Sequence, residues 1–309
     1  MNAVPRDSVF VDVCIATYKR PAMLATLLLS LLHQRVNRVG MRIVVIDNDA
    51  EMSAKRLVDD FRSQTASEIV YDVEPRQNIA LARNRALSHV RSRYFAFIDD
   101  DEAASETWLQ SLVDCAARYQ ADVVFGPVLR ALPDDAPAWA SDCFRVDRLE
   151  TGREVEFGGA GNVLLRSDIL RRVAVRFDAA FGLTGGEDTD FFYRLHLSGC
   201  KLVWCDEALA SEPVAPSRLT LQWVRRRGFR GGQTYNRIFV RRYTRLRKIR
   251  WFLVKTAHLA GGLVAAPVLR LLSYPSYVAL TVRIAAATGQ LSACFLERGF
   301  EEYSAKRYR

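Results

Sequence analysis

The sequence predicts an α/β fold, a Rossmann-like and mostly parallel sheet covered by helices, with a basic helical extension toward the C-terminal end. Three observations carry this. Short β-branched runs alternate with helix-length amphipathic stretches, the rhythm of parallel strands joined by crossover helices. The strand runs are apolar almost throughout, as in Ile43-Val44-Val45-Ile46, which is what a strand buried on both faces requires. The charge is also divided. The net +9 of the 309 residues conceals a stretch between Glu212 and Glu297 with fifteen Arg and Lys and no acid, so the chain up to Glu212 is left at −7.

Taken in order, Val9–Ile15 reads as a strand and Ala22–Gln34 as its helix, opened by Pro21, whose fixed φ suits a first helical turn. Arg42–Asp47 and Met52–Gln64 repeat the pair, followed by Ile69–Val73 with Ala80–Val90, Tyr94–Asp99 with Glu106–Tyr119, and the strand Val123–Gly126. After Pro127 the rhythm breaks. A Pro/Asp/Ala stretch from Ala131 to Ser141 reads as a long loop of the kind that forms lids or binding loops. Pattern returns at Gly158–Arg166, a short helix from Ser167, the Phe177–Gly186 loop, a helix over Glu187–Ser198 and a strand at Leu202–Cys205. We place the domain boundary at Pro213–Pro216, giving an acidic α/β body over 1–212 and a basic, apolar helical region over 213–309. In that region Thr256–Leu269 and Leu271–Val282 are uncharged runs of 14 and 12 residues. Both fall short of the roughly 20 that cross a bilayer, so interfacial or re-entrant helices behind a polybasic stretch are expected.

Composition removes several classes. The chain is 50% hydrophobic and 26% charged, has no tandem repeat, and carries 17 Gly and 10 Pro, which excludes disordered, collagenous and solenoid chains. The six cysteines include no C-x-x-C pair, and four scattered histidines form no zinc pattern, so a reducing compartment without a zinc site is expected. The segment Met1 to Asp12 has no apolar core of signal-peptide length, and export by that route is not expected. There is no G-x-S-x-G elbow and no G-x-x-x-x-G-K-[ST] loop. Gly158-Gly159-Ala160-Gly161 precedes a strand instead of joining strand to helix, so it is not a dinucleotide fingerprint.

The chemistry concentrates in two acidic clusters. Phe95-Ala96-Phe97-Ile98 runs straight into Asp99-Asp100-Asp101-Glu102, and ligands of open α/β sheets bind at the carboxyl ends of strands. In extended chain Asp99 and Asp101 point to one side and Asp100 to the other. Neighbouring carboxylates need a proton or cation between them, and Mg²⁺ or Mn²⁺ held by one or two carboxylates and completed by water and phosphate oxygens fits. The competing reading is a solvated acidic turn. The second cluster, Gly185-Gly186-Glu187-Asp188-Thr189-Asp190, puts acids on the first turn of a helix. A helix N-terminus favours carboxylates without any function, so capping competes with a role as general base. Thr17-Tyr18-Lys19-Arg20-Pro21, Asp47-Asn48-Asp49 and Arg83-Asn84 each read singly as turn or helix-surface chemistry. Together they set polar groups around one acidic strand end, as a nucleotide pocket would.

In this order the motifs resemble a family 2 glycosyltransferase of the GT-A nucleotide-diphospho-sugar transferase fold. Similar segments run from Val9 to about Gln233: Thr17-x-x-Arg20-Pro21, Asp47-Asn48, Ala82-Arg83-Asn84, Asp99-x-Asp101 and Glu187-Asp188. Within the family, Gly185–Phe192 and Arg225–Gln233 are most similar to bacterial exopolysaccharide transferases. The resemblance implies that Thr17, Arg20, Asp47, Asn48 and Arg83 line the pocket for a nucleoside diphosphate, usually UDP. Asp99 or Asp100 would contact ribose or assist the metal, Asp101 would bind it directly, Asp188 would deprotonate the acceptor hydroxyl, and Glu187 would bind or orient the acceptor. It implies inversion, glucose from UDP-glucose as the transferred sugar, a lipid-linked saccharide acceptor, and a peripheral position on the inner-membrane surface at its cytoplasmic face. Three positions depart from relatives: Ile79 where many have glycine, Ser211 where near relatives often have histidine, and Arg226 in place of the tryptophan of the Q-x-x-R-W motif of processive synthases. The last implies addition of one sugar. Arg225–Arg227 could close over the diphosphate, or form a solvated or lipid-facing basic helix.

Two other readings compete. A nucleic-acid-binding protein would use Arg218–Arg250 with Trp223, Tyr235, Tyr243 and Trp251 for phosphate and stacking contacts, but it leaves the acidic cluster idle, and no nucleic-acid partner is expected. A nucleotidyltransferase would share the core but require a Gly-rich loop after the first strand, which is missing.

Overall fold

The computed structural model describes residues 9–295; the leader reading on the first residues and the charge of the tail from Glu297 lie outside them. The chain begins with three strand–helix pairs and a fourth strand: β1 (Val9–Thr17), α1 (Pro21–Leu32), β2 (Val39–Asp47), α2 (Lys55–Gln64), β3 (Ile69–Val73), α3 (Ile79–Ser88) and β4 (Tyr94–Ile98). In α1 the leucines at 24, 27, 28 and 31 recur at helical spacing, and all four are buried against the sheet. Parallel register aligns the strand ends: Thr17 lies opposite Asp47, and Asp47 opposite Val73. The loops that leave these strands therefore emerge along one edge, where open α/β sheets bind ligands.

The second half comprises β5 (Ala103–Ala104), α4 (Trp108–Tyr119), β6 (Val123–Phe125), β7 (Val128–Ala131), α5 (Ala140–Cys143), β8 (Asn162–Arg166), α6 (Ile169–Arg172), α7 (Glu187–Leu197), β9 (Leu202–Trp204) and β10 (Ala210–Pro213). The main sheet has the order β3-β2-β1-β4-β8-β6-β9, with β8 antiparallel to both neighbours and every other pairing parallel. A second sheet, β5-β10-β7, was not expected from sequence, because strands of two to four residues carry too little alternation to be read. The core lies on both faces of the main sheet. Val11, Val13 and Ile15 meet α1 and Trp108 on one side, while Phe95, Phe97, Phe191 and Phe192 fill the other. The stretch expected as an open lid after Ala131 is partly anchored, since Trp139 and Phe144 are buried in a third cluster with Val224 and Val278.

Three long helices follow: α8 (Leu221–Ile238), α9 (Arg245–Leu272) and α10 (Tyr274–Ser292), each opened by a hydroxyl cap from Thr220, Thr244 or Ser273. Glycines set the α8–α10 spacing. A Cβ on Gly232 would lie 2.1 Å from the Ala286 carbonyl, and one on Gly289 would lie 1.9 Å from that of Phe229. One expectation needs correction here. The two apolar runs were judged too short to span a bilayer, but α9 is one continuous helix whose apolar window is long enough to do so by length and composition. Reading only uninterrupted apolar runs stopped at Lys255 and Arg270, and the helix passes through both.

Candidate active site

β4 ends at Ile98 and the chain turns at once, the Glu102 amide donating to the Asp99 carbonyl at 3.1 Å. The strand alternation expected to separate Asp100 from Asp99 and Asp101 stops with the strand. Instead Asp100 and Asp101 share Arg20, whose Nη1 donates to Asp100 Oδ1 at 3.3 Å and Asp101 Oδ2 at 3.1 Å. The Thr17 hydroxyl donates to Asp100 Oδ2 at 2.8 Å. Asp99 faces Arg83, which donates at 2.9 Å and with its other terminal nitrogen reaches Glu187 Oε1. Beyond Asp101 the alternation of charge continues through Arg218 to Glu212 and on to Arg130. These groups line one open cavity of about 570 Å³ at the carboxyl edge of the sheet.

Burial tunes the acids. It pushes Asp100 up to about 6, against the pull of Arg20, and holds Glu102 well above the ordinary glutamate value, with Asp99 and Asp101 adding to the effect. Arg83 is also buried, which opposes its charge, yet the carboxylates of Asp99, Glu187 and Asp188 hold its pKa above the usual value.

Asn48 also lines the cavity. Its Nδ2 donates to the carbonyls of Glu74 and Arg76 at 2.8 and 2.7 Å, and its Oδ1 accepts from the Asn78 amide at 2.8 Å, tying the end of β2 to the loop before α3. Asp47, expected as a lining residue, is not one. It is fully buried, and its carboxylate accepts from the Ala54 and Asp49 amides and the Tyr71 hydroxyl. These donors turn it inward, where it fixes the loop that presents Asn48. Asn84 is turned away likewise, exchanging two hydrogen bonds with the Phe177 backbone and bracing the loop before α7.

On the far side of the cavity, Gly185 and Gly186 take φ of 77° and 93°, the left-handed region that glycine alone enters without strain. They deliver Glu187 and Asp188 into the first turn of α7. Asp188 lines the cavity with its Oδ1 on the Thr189 amide at 2.6 Å. Glu187 is buried beside Arg83, and burial pushes it up to about 7 despite that partner. Its Oε2 has no hydrogen-bond partner among the described residues.

Whether a cation fits is decided by the donor set. No group of three His, Cys, Asp or Glu placed to hold a metal occurs among the described residues. Asp99 and Asp101 offer hard oxygen donors, and Mg²⁺ or Mn²⁺ bound by one or two carboxylates takes its remaining ligands from water and phosphate. The residues therefore fit a cation that arrives with a diphosphate, not one caged by protein alone.

Several lining residues were missed from sequence. Gln77 and Asn78 precede α3, Arg130 and Glu212 come from the small sheet, and Arg218, Trp223, Arg230 and Thr234 lie on α8 or its approach. Of the Arg225–Arg227 run only Arg227 lines the cavity, while Arg225 donates to the Tyr277 hydroxyl at 3.3 Å. Ser211 is exposed on β10 and donates to the Ala103 carbonyl at 3.5 Å; its neighbour Glu212 is the lining residue. Ile79 lines the cavity as the first residue of α3.

A mostly parallel sheet with one reversed strand, and acidic groups facing each other across its carboxyl edge, defines a GT-A-like glycosyltransferase. Residues 12–174 match the family model described as Glycosyl transferase family 2, and the chain belongs to that family. It is 32% identical over 305 residues to the succinoglycan biosynthesis protein ExoM of Rhizobium meliloti (strain 1021), covering 98% of both chains. It is 23% identical over 256 residues to the chondroitin synthase of Escherichia coli, covering 71% of this chain but only 37% of that longer protein. Among solved structures, S. aureus TarS 1-349 in complex with UDP superposes with a TM-score of 0.54 at 14% identity, covering 96% of this chain and 97% of that one, a likeness of fold.

Proposed function

We propose that the protein is an inverting glycosyltransferase that moves glucose from UDP-glucose to a lipid-linked saccharide at the cytoplasmic face of the bacterial inner membrane, in exopolysaccharide synthesis. The observation that carries the reading is one cavity with acids at both ends: Asp99, Asp100 and Asp101 at the end of β4, and Asp188 on the first turn of α7. The similarity to ExoM over nearly the whole chain supports the pathway class.

In this reading Thr17, Arg20, Asn48 and Arg83 hold the nucleoside diphosphate directly, and Asp47 acts from beneath by fixing the Asn48 loop. Asp99 and Asp101 hold Mg²⁺ or Mn²⁺, which when bound supplies charge neutralisation at the leaving diphosphate. Asp188 accepts the proton of the acceptor hydroxyl as the new bond to the anomeric carbon forms, and the old bond to the phosphate oxygen breaks with its electron pair leaving on UDP. One carboxylate base on the opposite face gives a single displacement and inverted configuration. Glu187, tied to Arg83, positions that guanidinium and the start of α7.

The test is calorimetric titration of UDP and UDP-glucose with and without Mn²⁺. The expected result is metal-dependent binding of both, with β-linked glucose recovered on an acceptor. A protein that binds neither would overturn the reading. Binding and transfer of N-acetylglucosamine in place of glucose would overturn the sugar assignment alone.

A further inference from the structure

α9 is exposed on the wrong side. It packs on α10 antiparallel, with Phe252 against Phe295, Gly262 against Leu280 and Ile284, and Arg270 over the Tyr277 ring. A helix lying on a protein in water turns its polar face outward. Here the residues facing away from α10 are Leu246, Leu253, Val264, Val268 and Leu271, which recur at helical spacing along the whole helix. Leu246, Val264 and Leu271 are 81%, 78% and 88% exposed. Arg245, Arg247, Lys248 and Arg250 cluster at one end of this stripe and Arg270 marks the other.

Composition alone would allow α9 to span a bilayer, but its neighbours forbid it. α10 runs parallel to α8 in close contact, from Tyr277 beside Arg225 to Gln290 beside Asn236. α8 in turn forms the cavity wall with Trp223, Arg227, Arg230 and Thr234. The order from cavity outward is thus α8, α10, α9, in layers about 8–10 Å apart. Threading α9 through a membrane would draw α10 and the arginines of α8 into hydrocarbon, where charged side chains are costly.

We propose that α9 seats the protein on an anionic bilayer as an in-plane interfacial helix, with the Leu246–Leu271 stripe in the acyl boundary and its flanking cations among the headgroups. Charge complementarity selects this occupant: the stripe is flanked by Arg245, Arg247, Lys248 and Arg250 at one end and Arg270 at the other, with no acid from residue 213 to 296, which matches an anionic headgroup layer beside acyl chains. The inference rests on the membrane reading given above and adds the element and the mode of attachment. It also orients the catalytic cavity away from the hydrocarbon, with two helix layers between them.

Flotation of the full chain with phosphatidylcholine vesicles, with and without phosphatidylglycerol, is the test. Binding is expected only with the anionic lipid, weakening in high salt. The Val264→Glu/Leu271→Glu double variant should lower it by about a hundredfold or more, since each buried apolar side chain is worth roughly tenfold. Impermeant maleimide should label both Arg241→Cys and Tyr274→Cys from outside the vesicles, in a background lacking Cys143 and Cys294. Labelling of Tyr274→Cys only after detergent would overturn the in-plane mode in favour of a span. A stripe variant that floats unchanged, or a wild-type chain that ignores vesicles and dimerises, would overturn the surface itself. UDP affinity measured on the same preparations separates either outcome from failure of the transferase reading.

Discussion

The cavity and the helical appendage are held together by different physics. At the cavity, charged groups are matched across long stretches of chain: Thr17 with Asp100, Arg83 with Glu187, Arg218 with Asp101. In the appendage, α8 and α10 meet through bare backbone at Gly232 and Gly289, and α9 leaves its apolar stripe without a partner among the described residues. The first region is closed upon itself by these pairs. The second is tight only on its inner side, which is what a surface waiting for another phase requires.

The sharpest contrast is expected at Asp188. Asp188→Asn keeps the size of the side chain but removes the carboxylate proposed as the base, so sugar transfer should fall by about 10²- to 10⁴-fold while calorimetric UDP affinity stays unchanged. Transfer that survives would place the base elsewhere. Next comes Arg83→Met, which strands the buried Glu187 and should cost about 3–5 kcal/mol in urea unfolding, whereas replacing both partners with apolar residues should recover part of that loss. A cost typical of an exposed ion pair would mean that the cavity is not self-closed. In the appendage, Gly232→Val meets the Ala286 carbonyl and should cost about 1–3 kcal/mol. No change in its unfolding midpoint would show the helix pair to be loosely packed.

The last contrast is a pH slope. Glu187 titrates near 7 in the folded protein against its ordinary 4.5, so over that window the folded chain holds a proton that the unfolded chain has lost. Stability contributed by this group therefore declines as pH rises from about 4.5 to 7. Glu187→Gln should flatten that part of the profile, and urea midpoints at both ends of the window that shift equally in the two proteins would count against it.

How legible each region was follows from the length of its elements. β3 was read with its observed bounds; Thr17, Arg20, Asn48, Asp99–Asp101 and Glu187-Asp188, each of which follows an apolar run or opens a helix, line the cavity as expected, and Arg83 reaches it from the middle of α3. Arg130 and Glu212 were not, since they sit on strands of four residues in a sheet with no readable period. Asp47 was found but assigned to the wrong side, because only the fold brings the Tyr71 hydroxyl to it. α8 was placed beyond a domain boundary, yet it walls the cavity, and no local pattern announces a contact between Thr234 and Gly186.

The strand order also dictates what happens while the chain is being made. Four neighbouring strands are complete once residue 98 is synthesised, but the edge of β4 stays open until β8 arrives at Asn162–Arg166. At ribosomal rates of about 5–20 residues per second that interval lasts roughly 3–14 s. Throughout it Tyr94-Phe95-Ala96-Phe97-Ile98, five residues without a charge or a proline, is an unpaired template for any other nascent chain. Stalled chains ending near residue 140 should aggregate where chains ending near 215 do not. The reversed strand that joins β4 to β6 within the sheet is therefore also what takes this apolar edge out of reach.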